Sequence, residues 1–328
     1  MIRALPSRHA ARLVLALAIG LLPVAAQAQT FPQNYPITMV VPFVAGAGTD
    51  AIARDLVRYL QAKLGHTIVV DNRGGAGGTI AAQAVARAKP DGHTLLFVTS
   101  TFITTASIDR KLGYDVLKDF TPIALLGRGP LLLVANKDIG IDTVEQLVAR
   151  AKAKPGALNY VSAGVGSINH LSGELFRQRT GTVLTHIPYR GSAPAAVDVM
   201  GGQAELFFAT VPTMLGQVRG NTVKLIAVTS RERSALFPDT PTVMEAGVKD
   251  FDVSTWWGVV GPPGMSKELL ARLNEAINEA ATGDGLVKRF EEEGAAPFRG
   301  SPEAFGEVLK RELDIWQAVV RQSGVTVD

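Results

Sequence analysis

Twice along this chain an apolar strand runs directly into a glycine turn that opens a helix, once at Ile37–Asp50 and again at Asn159–His170. The first N–H groups of a helix lack intrahelical partners, the helix dipole adds positive potential there, and glycine lets a ligand come close to the backbone. Each junction is therefore an anion site made of main chain. One junction in each half of the chain predicts a ligand held between two lobes.

The segments around these junctions alternate between strand and helix. Ile52, Leu56, Leu60 and Leu64 share one face of a helix for which Thr49 is the expected N-cap and Gly65 the stop. Ile68–Val70 reads as a short buried strand, the glycine run from 73 to 78 leads into an alanine-rich helix ending before Pro90, and Thr94–Val98 is the next strand. Further strands are expected at Leu131–Ala135, Val183–Ile187 and Leu225–Thr229, with helices at Thr143–Lys152, up to Met200 and through Ile277. Phe305, Val308, Leu309, Leu313, Trp316 and Val320 line one face of a final helix. Such alternation specifies an α/β fold with mainly parallel sheets and ligand sites at the carboxyl ends of the strands. No repeat or low-complexity linker interrupts it, which fits lobes exchanged by crossing strands better than domains strung in series.

Composition removes several function classes. Arg3, Arg8 and Arg12, the apolar run Leu13–Leu22 and the small residues Ala26–Ala28 read as a secretory signal, so removal of residues 1–28 after Ala28 and export of the rest to the periplasm are expected. The apolar part is short for the ~20 residues that span a bilayer. Without that leader the charge balances at 30 basic against 30 acidic residues, so the basic character belongs largely to the leader. There is no basic stripe interleaved with aromatics, hence no sign of nucleic-acid binding. The chain has no cysteine, which excludes disulfides, thiolate zinc sites and cysteine nucleophiles.

The ordered set Val41–Asp50, Lys89–Gly92, Tyr114–Asp115, Asp119–Ile123, Ala163–Ser167, His170–Leu171, Ile187–Gly191, Gly201–Gln203, Leu225–Ser230, Pro238–Thr242 and Glu245–Gly247 resembles the substrate-binding proteins of the tripartite tricarboxylate transporters, the Bug family. The resemblance implies a two-lobed type II periplasmic-binding fold. Residues 29–127 and 229–328 would form one lobe and 128–228 the other, with crossing strands near Gly127–Leu133 and Lys224–Ser230. It also implies capture of a small organic carboxylate by backbone N–H groups, hydroxyls and water, and delivery to the membrane subunits of such a transporter. A monomer with no metal or other cofactor is expected.

On this reading Gly46, Ala47, Gly48 and Thr49 form one wall of the site, and Gly164, Gly166, Ser167 and Asn169 the other. Asp50 is either a ligand group or a stabiliser of the helix end, because a second carboxylate ~5 Å away would repel a bound one by ~3 kcal/mol at an effective dielectric of 20. His170 is open between ligand donor and structural residue. Ser100, Thr101, Tyr189, Ala209 and Thr210 complete the candidate set, with Phe102 placing an apolar ring at the cleft edge. Where many relatives carry an acid, Ala209 argues against an amino-acid ligand. Arg190 reads as a surface or lobe-closure charge, and at least one of Trp256 and Trp257 as core.

Other chemistries are weaker. Gly46–Ala51 matches G-x-G-x-x-A with Asp71 at the end of the following strand, but Pro42–Ala45 separate the strand from the first glycine. Ser167 and His170 lack G-x-S-x-G surroundings and an orienting acid. His170 and Glu174 have i, i+4 metal-pair spacing without a third ligand. A ligand-bound receptor for a membrane sensor is the alternative that sequence leaves open beside transport.

Overall fold

The computed structural model describes residues 35–326 apart from 44, 46, 47, 109 and 110. The expected leader and Gly46 and Ala47 therefore lie outside the described residues. The first half runs β1 (Ile37–Val41), α1 (Gly48–Leu64), β2 (Ile68–Asn72), α2 (Thr79–Ala86), β3 (Thr94–Thr99), α3 (Ser100–Ile108) and β4 (Thr121–Asn136). There follow α4 (Val144–Ala153), β5 (Asn159–Ser162), α5 (Ile168–Thr180), β6 (Thr185–Pro188), α6 (Ser192–Met200), β7 (Leu206–Thr210), α7 (Val211–Arg219) and β8 (Val223–Val228). The chain ends with β9 (Ser254–Gly261), α8 (Lys267–Ala281), α9 (Asp284–Glu292), β10 (Ala296–Pro297) and α10 (Pro302–Ser323).

These strands make two sheets that share β4. One has the order β2-β1-β3-β9-β4 with β10 added along β4, and the other runs β4-β7-β5-β6 with β8 also on β4. Thr121–Pro130 pairs with β9, and Leu131–Ala135 pairs with β7. At ~3.3 Å per residue this one strand reaches on the order of 50 Å, long enough to serve both sheets. Pro130 sits where the strand changes partners, a place where a missing N–H costs the ladder least. Gly127 and Gly129 are required by close approach, since a Cβ there would lie 2.9 Å from the Ala296 carbonyl oxygen and from the Ala295 Cβ.

A buried threonine ties the return crossing to the outward one. The Leu131 N–H donates to Thr229 Oγ1 at 2.8 Å, the Thr229 N–H donates to the Leu131 carbonyl at 3.0 Å, and Thr229 Oγ1 donates to the Val253 carbonyl at 2.7 Å. Both sheets are mixed: β1 pairs in parallel with β2 and β3, and β5 with β6 and β7, whereas every pair involving β4 or β9 is antiparallel. The expectation of mainly parallel sheets missed this because the strands that cross between sheets enter against the direction of the βα units. Ile68–Val70 also differs from the sequence reading. Among the described residues β2 pairs only with β1, so it is an edge strand, and Val69 is 49 % exposed.

One apolar core runs beneath both sheets. Phe305, Leu309 and Trp316 of α10 are buried in it, with Val308, Leu313 and Val320 packed at its margin, as the helical spacing predicts. Trp256 belongs to this core and donates its indole N–H to Glu312 Oε2 at 2.7 Å. Trp257, one residue on, faces the opposite side of β9 and packs on Phe290. Burying such a ring contributes on the order of 3 kcal/mol, so β9 is anchored on both faces.

Candidate functional site

Five helices begin at one cleft. They follow β1, β3, β5, β6 and β7, and residues from the first turns or caps of α1, α3, α5, α6 and α7 line two adjoining cavities of about 240 and 840 Å³. The lining residues include Thr49, Ser100, Thr101, Ser167, Asn169 and Thr210, together with Gly164 and Gly166. Among the described residues that line these cavities there is no lysine, arginine or histidine. Positive potential therefore comes from helix starts, each worth ~0.3–1 kcal/mol toward an anion and more where partly buried.

Hydrogen bonding shows which amides are committed. The Gly164 N–H donates to Ser162 Oγ at 3.1 Å, the Ser167 N–H to the Gly164 carbonyl at 3.2 Å, and the Gly166 N–H to His170 Nδ1 at 3.1 Å. Ser167 caps α5 by accepting from the His170 N–H at 3.3 Å. The turn amides at 164, 166 and 167 thus hold the turn together, and the open donors of this wall are the first helical amides, those of Ile168 and Asn169. Asn169 is oriented by its Nδ2 donation to the Phe208 carbonyl at 2.6 Å. On α7, Pro212 brings no N–H, and the Thr210 and Thr213 hydroxyls share a hydrogen bond of 2.7 Å.

Several candidates stand elsewhere. Asp50 is buried: its Oδ2 accepts from Arg54 Nε and its Oδ1 from Asn72 Nδ2, both at 2.8 Å, so its two oxygens brace the start of α1 against β2. Thr49 is not the N-cap, because the helix already includes Gly48. Ala209 is fully buried in the core of the second sheet, and strand alternation leaves Thr210 to reach the cleft. The Tyr189 hydroxyl donates to Asp198, a hydrogen bond that with burial and the Asp198 charge pushes it up to about 12. Phe102 lies below the cleft floor against Phe120 and Tyr114, because in helical α3 the ~100° step from Thr101 turns it into the core. Phe43 lines the cleft instead.

His170 is a support behind the wall. Its ring stacks on His186 with centroids 3.8 Å apart, and Ser162 Oγ meets His186 Nε2 at 2.7 Å. Burial holds both histidines below the usual range, and His186, also facing His170 and Arg177, is lowered to about 3. An unfolded histidine takes a proton near 6.5, so the stability of this pair is present above that pH and is lost as pH falls toward 3. Chemical unfolding of the ligand-free protein is expected to show about 1–2 kcal/mol less stability at pH 5 than at pH 7 from this source. His186→Gln is expected to flatten that dependence; an unchanged slope would place the acid sensitivity elsewhere.

The pattern of the tripartite tricarboxylate transporter family receptors matches residues 52–325. The chain belongs to this receptor family. BugT of Bordetella pertussis is 38 % identical over 299 residues, covering 90 % of this chain and 91 % of BugT. The R. palustris protein Rpa4515, solved with adipate, is 33 % identical with a TM-score of 0.80 over 90 % of this chain and 99 % of its own. MatC from Rhodopseudomonas palustris, solved with bound malate, is 32 % identical with a TM-score of 0.77 over 88 % of this chain and 100 % of its own. Members of the family are periplasmic binding proteins with the type II fold, substrate-binding receptors in place of enzymes.

Within this receptor fold, sequence reasoning missed Ser192, Thr213, Thr255, Trp257 and Glu293 as cleft residues. Two of them carried a readable signal. Pro212 just after Thr210 marks a helix start, and Gly191 before Ser192 marks another. Thr255 and Trp257 sit on β9, and Thr255, 155 residues after Ser100, has its Oγ1 3.3 Å from Ser100 Oγ, so only the fold brings them in.

Proposed function

We propose that this receptor captures a small organic dicarboxylate in the cleft and presents it to the membrane subunits of a tripartite tricarboxylate-type transporter. The observation that carries the reading is the convergence of five helix starts on a cleft whose described lining holds hydroxyls and amides but no basic side chain. An anion is the ligand class that such a surface favours, and a multiply bonded carboxylate can be held without a countercharge when each charged hydrogen bond contributes ~1.5–3 kcal/mol. The relatives solved with malate and adipate support a dicarboxylate of that size range. The leader of residues 1–28 accords with export.

In this proposal residues 29–127 and 229–328 form one lobe, residues 128–228 form the other, and β4 with the segment after β8 makes the hinge. Ligand closes the lobes because donors from both walls are needed at once. A thermal-shift panel of mono-, di- and tricarboxylates, sugars and amino acids tests the assignment. A dicarboxylate at 100 times its Kd is expected to add ~2.7 kcal/mol of stability. Stabilisation by a sugar with no response to any carboxylate would overturn it.

A further inference from the structure

Among the described residues lining the cleft, one side chain is ionisable, and it is an acid. Glu293 caps the C-terminal end of α9, lines the smaller cavity beside Trp257 and Thr210, and is only 9 % exposed. Its backbone N–H is used by the Arg289 and Phe290 carbonyls. Among the described residues none donates a hydrogen bond to its carboxyl group, which is unusual for a buried acid. A group of this kind, facing into a cleft that receives an anion, needs a reason to be there.

The surrounding charges do not neutralise it. Arg289, on the same helix, is committed to Asp55 of α1 at 3.1 Å and to Glu292 at 3.0 Å. Asp50, the acid nearest the start of α1 in sequence, is paired with Arg54. The residues of β9, α3 and the start of α7 that line this cavity with Glu293 are Thr255, Trp257, Ser100, Thr101, Thr210, Pro212 and Thr213, none of them charged. Burial therefore dominates and raises the carboxyl to about 7, with Arg289 opposing and Glu292 adding to the rise. A bound carboxylate disfavours the ionised form further, because two like charges in one site cannot both be desolvated.

We propose that Glu293 is a ligand-facing proton carrier, and that capture of a dicarboxylate is coupled to uptake of one proton from solvent. In the complex the proton resides on the Glu293 carboxyl, whose O–H donates to a carboxylate oxygen of the ligand. The ionised form would instead repel that oxygen. This inference rests on the carboxylate-binding reading above. It adds a specificity rule: the site favours a second carboxylate over an ammonium at this end of the cleft, because a neutral acid donates to the first and gains nothing from the second.

The test is calorimetric titration of the full-length exported protein with the dicarboxylate of the panel that gives the largest thermal shift, among succinate, malate, glutarate and adipate. Titrations from about pH 6.5 to about pH 9, where the ligand carboxylates stay ionised, are run in phosphate and in Tris, whose ionisation enthalpies differ. Affinity is expected to fall with rising pH, approaching tenfold per unit above about 7, with close to one proton taken up per ligand at pH 8. Glu293→Gln keeps a donor and loses the ionisation, and is expected to bring both the pH slope and the proton count close to zero. A flat wild-type profile, an unchanged slope in Glu293→Gln, or affinity that rises with pH would each overturn the proposal while leaving carboxylate binding intact. If none of the four dicarboxylates binds, the functional reading itself falls and this inference with it.

Discussion

Gly166→Val is expected to raise the dissociation constant for the bound carboxylate by about 10- to 100-fold, equivalent to about 1.4–2.7 kcal/mol. Arg190→Ala is expected to change it by no more than about twofold, within the range of an exposed charge. The contrast follows from where each residue acts. Gly166 has φ +83°, a region that valine avoids, and a Cβ there would lie 3.0 Å from Ile108 Cδ1. Its N–H also holds the turn to His170. Shifting this turn displaces the capped start of α5, and with it the Ile168 and Asn169 amides that face the cleft. Arg190 is exposed and does not line either cavity. Calorimetric titration of both variants, after circular dichroism has shown them folded, separates the two schemes. Loss of binding in Arg190→Ala with retention in Gly166→Val would mean that a side-chain clamp, not the helix starts, holds the ligand.

Glu174→Ala is expected to cost about 3–5 kcal/mol of folding stability. Its carboxylate is buried and accepts twice from Arg177 Nη1, at 2.6 and 2.9 Å, and once from the Tyr160 hydroxyl. Removing it leaves a guanidinium with no partner for a charge already partly withdrawn from water, and Arg177 Nε is itself buried without a partner among the described residues. The Tyr160 ring is further wedged against Gly173, where even a Cβ would approach to 2.2 Å, so the cluster has little room to relax. Urea unfolding of the ligand-free protein measures the loss. A cost under about 1 kcal/mol would show that Arg177 swings out to solvent and that the cluster tolerates the vacancy. Because this cluster backs the second glycine turn, destabilising it is also expected to loosen the ligand wall.

Local chemistry made much of this protein legible before any tertiary structure. The face of α10 was readable because 3.6-residue periodicity is a property of one helix by itself. The helix start after the second glycine turn was readable from its glycine and serine punctuation, and the ordered motifs carried the family. Residues whose role depends on a neighbour distant in sequence were not readable. A crossing strand near Gly127–Leu133 was expected only through the family resemblance, and that Gly127 and Gly129 must be bare inside β4 depends on β10 and the residue before it pressing against that backbone. Val69 was expected to be buried but is exposed, since burial of a strand depends on what pairs on its far side. Nothing in the run Glu291–Glu293 by itself singles out one of the three acids. Glu293 differs from its two neighbours only because the end of α9 closes against the cleft beside Trp257. His170 could be placed only when His186 was seen stacked on it. Periodicity and valence are encoded residue by residue, whereas desolvation depends on packing from elements far apart in the chain, and in this receptor that packing sets which acid and which amides line the cleft and which histidines are buried behind it.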